Sequence, residues 1–151
     1  MGHEVSLKVV PARFAAVVRF RARAEEMAAK TPQAFARVLA VLDRLGLAPA
    51  GPALARFTPE DGAFQVEAGF YVGSGFEGSD GVACVVLAGG EVLTTTHIGP
   101  YDTLPEAYEA IQAWARDQHR SLADSMWEEY FSDPGSAPPS EWRTDVVWPL
   151  E

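Results

Sequence analysis

The pattern Pro-x-Ala-aromatic occurs twice in this chain, as Pro32-Gln33-Ala34-Phe35 and, 73 residues later, as Pro105-Glu106-Ala107-Tyr108. Around each copy the sequence predicts the same order of elements: a hairpin, a helix and two strands. A period of this length is too long for one unit of a solenoid, whose repeats span about 20–50 residues. We therefore expect a duplicated module, with one copy over about residues 4–72 and the other over about residues 82–150.

Two helices are predicted from apolar residues spaced three and four positions apart, over about residues 24–45 and about residues 103–120. In the first segment, Thr31 followed by Pro32 is typical of an N-cap and the first helical position. The helix proper is therefore expected to begin near residue 31. In the second segment, Tyr108 is expected to belong to the buried apolar stripe.

The rest of the chain is predicted to form short strands separated by glycine- and proline-rich turns. Gly89-Gly90, between two apolar runs, predicts a β-hairpin, and the glycine-rich stretch 73–81 is expected to link the two copies. The predicted fold class is α+β, an antiparallel sheet with the helices on one face and a ligand groove at the pseudo-twofold seam. The strands are expected over residues 5–10, 14–20, 64–72, 82–87, 91–98, 126–131 and 142–148.

Composition and charge restrict the classes of function. The chain has 151 residues, of which 48% are hydrophobic, and these values fit a single domain over residues 1–151. A formal net charge of −9 without a basic cluster argues against nucleic-acid binding. The sequence has no apolar run of about 18 residues and no signal pattern, so we expect a cytoplasmic protein without membrane contact. Cys84 is the only cysteine, and no metal-binding spacing occurs, so we expect neither a metal nor a cofactor.

An acidic strand-like run, Trp127-Glu128-Glu129-Tyr130-Phe131, is chemically the most informative part of the second copy. Because alternate residues of a strand point to opposite faces, Glu128 shares a face with Tyr130, while Glu129 points the other way. The offset of 73 residues places Ala55 at the position of Glu128, so only one copy carries the acid. A carboxylate beside aromatic rings suits a cationic ligand or a proton-transfer step. The alternative is an exposed edge-strand acid, or one paired with an arginine.

Three stretches resemble the GyrI-like small-molecule-binding domain family, which also forms the effector-binding half of many multidrug-responsive transcription regulators. They are, in chain order, His97-Ile98-Gly99-Pro100-Tyr101, Glu128-Glu129-Tyr130-Phe131 followed by Asp133-Pro134, and Thr144-Asp145-Val146-Val147-Trp148-Pro149-Leu150. The last stretch departs from the family pattern at Asp145 and Val147, where glutamate and an aromatic residue are usual. This departure leaves open which C-terminal aromatic side chain lines the groove. Without a helix-turn-helix segment, the chain is similar to the stand-alone bacterial members.

The resemblance implies a duplicated αβ module with a ligand groove between the repeats. It also implies that Glu128 pairs with lipophilic cations, or acts in catalysis as in members that hydrolyse reactive cyclopropane-bearing natural products. For the aromatic residues the alternative is core packing, and His97 is expected to be a structural histidine. If the protein is a hydrolase, Glu128 and Tyr101 are the expected catalytic residues. The expected ligand-binding residues are Glu128, Tyr101, Tyr71, Tyr130 and Trp142.

The sequence supports two main hypotheses of function and leaves open whether the protein is an enzyme. The leading hypothesis is broad-specificity binding of hydrophobic aromatic, often cationic, small molecules in a groove with a buried glutamate. The alternative is a hydrolase that detoxifies reactive cyclopropane-bearing natural products with the same glutamate. A third hypothesis is a module that inhibits a protein partner such as a topoisomerase, and it follows only from the name of the family.

Overall fold

The computed structural model describes residues 3–132 and 135–151, so the Asp133-Pro134 part of the second motif lies outside the described residues. The paired strands run antiparallel, which confirms the predicted α+β class. Neither long helix in the described part of the chain has the apolar length needed to cross a bilayer. The elements are β1 Ser6–Val10, β2 Arg13–Ala22, α1 Met27–Leu45, β3 Pro49–Glu60, β4 Ala63–Val72, β5 Val82–Leu87, β6 Gly90–Ile98, α2 Pro105–Asp117, β7 Met126–Tyr130 and β8 Arg143–Pro149.

The chain forms two compact units, one of Pro11–Gly89 and the other of Met1–Val10 with Gly90–Glu151. In the first unit the strand order is β3-β4-β2-β5. Strands β2 and β4 approach so closely that a Cβ on Gly69 would lie 1.8 Å from the carbonyl oxygen of Ala16. A cluster of buried apolar side chains from α1 and the sheet forms a core: Ala16, Val38, Val41, Leu42, Val72 and Val82.

Helix α1 begins earlier than the sequence predicts. It starts at Met27, after a 3-10 turn over Ala24–Glu26, and Pro32 lies inside the helix. The expected start near residue 31 is therefore wrong. Because proline has no N–H, the helix lacks the hydrogen bond that this position would donate four residues back. Burial of the apolar face of α1 outweighs this local loss, since packing supplies most of the stability of a helix in a protein.

The two predicted hairpins do not form. Strand β6 follows β5 in sequence but pairs with β1 and β8, while β5 pairs with β2. The first strand of each copy therefore lies in the compact unit that holds the rest of the other copy. Gly90 has a φ of 137°, whereas the tight hairpin turns use φ values of about +60° to +90°. The Gly89-Gly90 signal was misleading because glycine permits both a tight turn and this extended connection.

In the second unit the strand order is β1-β6-β8-β7. Glu128 lies opposite Val146, and Tyr130 lies opposite Thr144. Thr144 also lies opposite His97 on its other side. Because directly opposite residues of an antiparallel pair point to the same side, these five side chains share one face of the sheet. The candidate functional site is built on this face.

Candidate ligand-binding site around Glu128

Glu128 is a buried acid whose two carboxylate oxygens both accept hydrogen bonds from phenols. Its exposed fraction is 3%. The hydroxyl of Tyr130 donates to Oε1 over 2.7 Å, and the hydroxyl of Tyr108, from helix α2, donates to Oε2. The alternative of an exposed acid is therefore wrong, because Glu128 is closed off from water and held by two phenols.

Burial and hydrogen bonding act in opposite directions on the acidity of this cluster. Burial raises the pKa of Glu128, while the hydrogen bonds from Tyr108 and Tyr130 lower it, and the net pKa is raised. The pKa of each of the two phenols is raised, first by burial and then by the charge of Glu128. Both phenols therefore remain protonated donors, which hold the carboxylate in one fixed orientation.

Tyr101 and Trp142 extend the cluster with aromatic surface. The ring of Tyr101 lies edge-on to Tyr130, with 5.9 Å between centroids and 68° between planes. It also lies 4.8 Å from the ring of Trp142, at 34°. Tyr101 is 39% exposed, and burial followed by the charge of Glu128 raises the pKa of its phenol. Four of the five predicted ligand-binding residues are thus brought together in one unit.

The turn that carries Tyr101 is held by a buried histidine. His97 is 3% exposed, and its Nε2 lies 2.8 Å from Oγ1 of Thr103 and 3.2 Å from the carbonyl oxygen of Pro100. The hydroxyl of Thr103 itself donates to that carbonyl, so Nε2 of His97 carries the proton that Thr103 accepts. The unprotonated Nδ1 then accepts from Nε2 of His3 at 2.9 Å. Both ring nitrogens are engaged, as expected for a structural histidine.

Tyr71 is the remaining predicted ligand-binding residue. It belongs to β4 in the other compact unit and is 2% exposed. The guanidinium carbon of Arg13 lies 3.6 Å from the centroid of its ring. Its predicted contact with a ligand stays a prediction.

The sequence interpretation missed Tyr108, which it assigned to the apolar stripe of the second helix. A signal was present in the repeat itself, because the offset of 73 residues places Phe35 at the position of Tyr108. The same offset places an alanine and a phenylalanine at the positions of Glu128 and Tyr130. In the first copy, Phe35 packs edge-on against Phe70 with 5.7 Å between ring centroids. The second copy therefore carries three polar groups where the first carries apolar ones, and these three groups contact each other.

Groups of three or more His, Cys, Asp or Glu side chains that could hold a metal ion do not occur among the described residues. The ionisable part of the candidate site consists of one carboxylate and three phenols. Such a set is suited to accepting a positive charge or to moving a proton, since carboxylate supplies the acceptor and the phenols supply donors.

Comparisons with known proteins agree with this architecture. A segment covering 38% of the chain is 37% identical to the DNA gyrase inhibitor of Pectobacterium carotovorum subsp. carotovorum (strain PC1), and the match spans 37% of that relative. The chain resembles the C-terminal domain of EcmrR with a TM-score of 0.82 and 20% identity, over 100% of this chain and 99% of that one. A hydrolase from Listeria innocua matches with a TM-score of 0.69 and 13% identity, over 99% and 93% of the two chains. SAV2435 bound to tetraphenylphosphonium matches with a TM-score of 0.68 and 13% identity, over 98% and 94%. At these identities the structural likenesses show the fold.

These observations define the class as an α+β domain with an antiparallel sheet. The sequence model of the GyrI-like small molecule binding domain matches residues 3–151. The chain therefore belongs to the GyrI-like family, which confirms the resemblance carried by its three motifs.

Proposed function

We propose that the protein binds hydrophobic aromatic cations with broad specificity and that Glu128 is the carboxylate partner of the positive charge. The observation that carries the proposal is the buried carboxylate held by Tyr108 and Tyr130, with the rings of Tyr101 and Trp142 beside it. Affinity that comes from apolar area and a single charge, with few directed hydrogen bonds, tolerates many ligand shapes.

The energy of such binding is favourable because the carboxylate is already desolvated before the ligand arrives. At an effective dielectric constant of about 20, two unit charges about 6 Å apart attract each other by about 3 kcal/mol. Aromatic rings add a cation–π attraction of about 0.5–2 kcal/mol. A ligand cation would also remove the penalty that an unpaired buried charge imposes on the fold.

The structural relative SAV2435, described as bound to tetraphenylphosphonium, supports this choice of ligand class. That compound carries one delocalised positive charge within four phenyl rings. That this chain binds the same class of ligand is part of the proposal, because the two proteins share only 13% identity.

Calorimetric titration with tetraphenylphosphonium tests the proposal. If about half of the Coulomb attraction survives desolvation, Glu128→Gln should weaken binding about tenfold. Glu129→Gln is the matched control, because its side chain points to the other face of the same strand and its substitution should leave the affinity unchanged. Triphenylphosphine oxide, a neutral compound of similar shape, should bind Glu128→Gln and the wild type with equal affinity. Equal affinity of wild type and Glu128→Gln for the cation would refute the role of Glu128.

A second candidate function is hydrolysis of a reactive cyclopropane-bearing compound. It is favoured by a carboxyl group of raised pKa that accepts a hydrogen bond from a phenol at each oxygen, since a raised pKa is what a carboxyl group needs to act as a general acid. A hydrolase from Listeria innocua also shares the fold. In this proposal Glu128 activates water or protonates the opening ring, and Tyr101 orients the substrate. Ring-opened product detected by mass spectrometry with wild type, and absent with Glu128→Ala, would favour hydrolysis; binding without product would favour the first function.

The proposed setting is the cytoplasm, with small molecules as the partners and no nucleic acid. The exclusion of nucleic acid rests on the formal net charge of −9, which repels a phosphate backbone. A gel-shift titration at low salt should show no complex with duplex DNA, and a complex there would refute this part of the proposal.

A further inference from the structure

Thr144 lies in the middle of the sheet face that carries the proposed site, and its hydroxyl is unused. Its exposed fraction is 0%, and no described residue forms a hydrogen bond with its Oγ1. On β8 it lies directly between Tyr130 on one neighbouring strand and His97 on the other. A buried hydroxyl without a partner costs free energy, so its occurrence at this place calls for a physical explanation.

The two neighbouring side chains direct their polar atoms elsewhere. Tyr130 donates its hydroxyl proton to Glu128. His97 uses Nε2 toward Thr103 and Nδ1 toward His3. The unused hydroxyl therefore stands in a row of polar groups whose other members have their own partners.

A second buried threonine on the same sheet does have a hydrogen-bond partner. Thr95 lies on the same face, opposite Val146, and is 3% exposed. Its hydroxyl donates to the carbonyl oxygen of Glu4 over 2.8 Å. Among the described residues, the other buried side-chain atom without a partner is Nε1 of Trp127, which lies on the opposite face of β7 from Glu128.

We propose that Thr144 is a specificity-determining residue of the ligand site and that its hydroxyl hydrogen-bonds a polar substituent of the ligand. This inference rests on the proposed binding of aromatic cations. Glu128 lies opposite Val146, two residues from Thr144, and such diagonal neighbours lie about 7–8 Å apart. The favoured ligand class is therefore an aromatic cation with a hydroxyl, ether or carbonyl group about one phenyl ring away from its charge. A threonine hydroxyl both donates and accepts, so it serves each of these groups.

In this proposal the ligand reaches both groups from the side of Tyr101. Glu128 and Thr144 are both covered, whereas Tyr101, which packs on Tyr130, is 39% exposed. The ring of Tyr101 would then move away from Tyr130 as the ligand enters. A ligand that enters there meets the carboxylate and the hydroxyl together.

A pair of matched cations tests the proposal. The probes are tetraphenylphosphonium and triphenylphosphonium carrying a hydroxymethylphenyl group, as the meta and para isomers. We expect the wild type to bind at least one isomer about three- to tenfold more tightly than the parent cation, as one additional hydrogen bond provides. Thr144→Val should abolish this preference without weakening binding of the parent, and Thr144→Ser should keep it. Thr95→Val, the same substitution on the same face, should also keep it.

Thermal unfolding gives a second readout that needs no ligand. Thr144→Val should raise the melting temperature, because it removes a desolvated hydroxyl and keeps the shape of the side chain. Thr95→Val should lower the melting temperature, because it leaves the carbonyl of Glu4 without its donor. A loss of stability in Thr144→Val equal to that in Thr95→Val would overturn the proposal, since it would show that the hydroxyl has a partner within the protein.

The binding results separate the inference from the function on which it rests. If the wild type prefers neither isomer, or if Thr144→Val keeps the preference, the role of Thr144 is refuted while cation binding stands. If tetraphenylphosphonium does not bind the wild type, or binds Glu128→Gln equally well, the proposed function fails and the inference fails with it.

Discussion

Removal of the whole polar cluster of Tyr108, Glu128 and Tyr130 should cost the protein less stability than removal of a single hydroxyl from it. The informative variant is Tyr108→Phe/Glu128→Met/Tyr130→Phe, in which methionine keeps the length of the glutamate side chain. This variant gives the second copy of the module the apolar character that the first copy has at the corresponding positions, where Phe35 and Ala55 stand.

The magnitude follows from the hydrogen bonds of the carboxylate. A hydrogen bond to a charged group contributes about 1.5–3 kcal/mol, and each phenol donates one such bond to Glu128. Tyr108→Phe and Tyr130→Phe should therefore each lower the free energy of unfolding by about that amount, and by about 3–6 kcal/mol if their effects add. In the triple variant the buried charge is gone. Since replacing a buried ionised group by apolar side chains of similar volume is often neutral or stabilising, this variant should be at least as stable as the wild type.

Urea unfolding at a pH above the folded-state pKa of Glu128 measures these differences through the midpoint and the slope of the transition. An unchanged slope would show that the variants unfold between comparable states. A triple variant that loses as much stability as the two Tyr→Phe variants together would refute the reasoning. That result would mean that the hydroxyls act through contacts other than the one with Glu128.

Three further predictions concern single positions. Burial raises the folded-state pKa of Glu128 above its ordinary value of 4.5, so the native protein binds this proton more tightly than the unfolded chain does. The stability that this adds is complete below about pH 4.5 and is lost as the pH rises through the folded-state pKa. The free energy of unfolding of Glu128→Gln should therefore rise relative to that of the wild type by up to about 1.4 kcal/mol per pH unit between pH 4.5 and the folded-state pKa, and the difference should stay constant at higher pH. Urea unfolding across this pH range measures the difference, and a difference that does not change with pH would contradict the prediction. Gly69→Ala should lower the free energy of unfolding by about 3 kcal/mol or more, since the new Cβ would clash with the carbonyl of Ala16. Gly73→Ala is the control, because a Cβ at this position meets nothing within 4 Å. In circular dichroism melts the control should unfold at nearly the wild-type temperature, and Gly69→Ala should unfold at a lower one. Pro32→Ala should raise the free energy of unfolding by up to about 3 kcal/mol by restoring a helical hydrogen bond, and a less stable variant would show that the proline ring packs favourably in α1.

Much of the fold was accessible from the sequence because its signals are periodic or repeated. Apolar spacing located both helices, and the repeated Pro-x-Ala-aromatic pattern indicated the duplication. The exchange of β1 and β5 between the copies was not accessible, because a glycine pair carries only local information about a turn. Each copy offers an equivalent strand with which β1 or β5 can pair, so a local pattern does not determine which copy each of these two strands joins. The helix start predicted from Pro32 was wrong for a similar reason, since the preference of proline for the first helical position contributes less free energy than the packing of the whole helix.

The candidate site was predictable where strand parity decided the outcome. Parity placed Glu128 and Tyr130 on one face, and the structure brings them into contact. Tyr108 was missed because helical spacing alone does not distinguish a core tyrosine from one that donates to a buried acid. Thr144 was missed because an unsatisfied hydroxyl is a property of its neighbours in space, which the sequence does not display.

The most direct test of the account is the pKa of Glu128 measured by carbon-13 NMR of its carboxyl group, with and without saturating tetraphenylphosphonium. Burial predicts a pKa above 4.5 in the free protein. A cation held beside the carboxylate favours its ionised form, so the pKa of Glu128 should fall when the ligand binds. A pKa that stays the same in the saturated complex would contradict the claim that Glu128 receives the positive charge of the ligand.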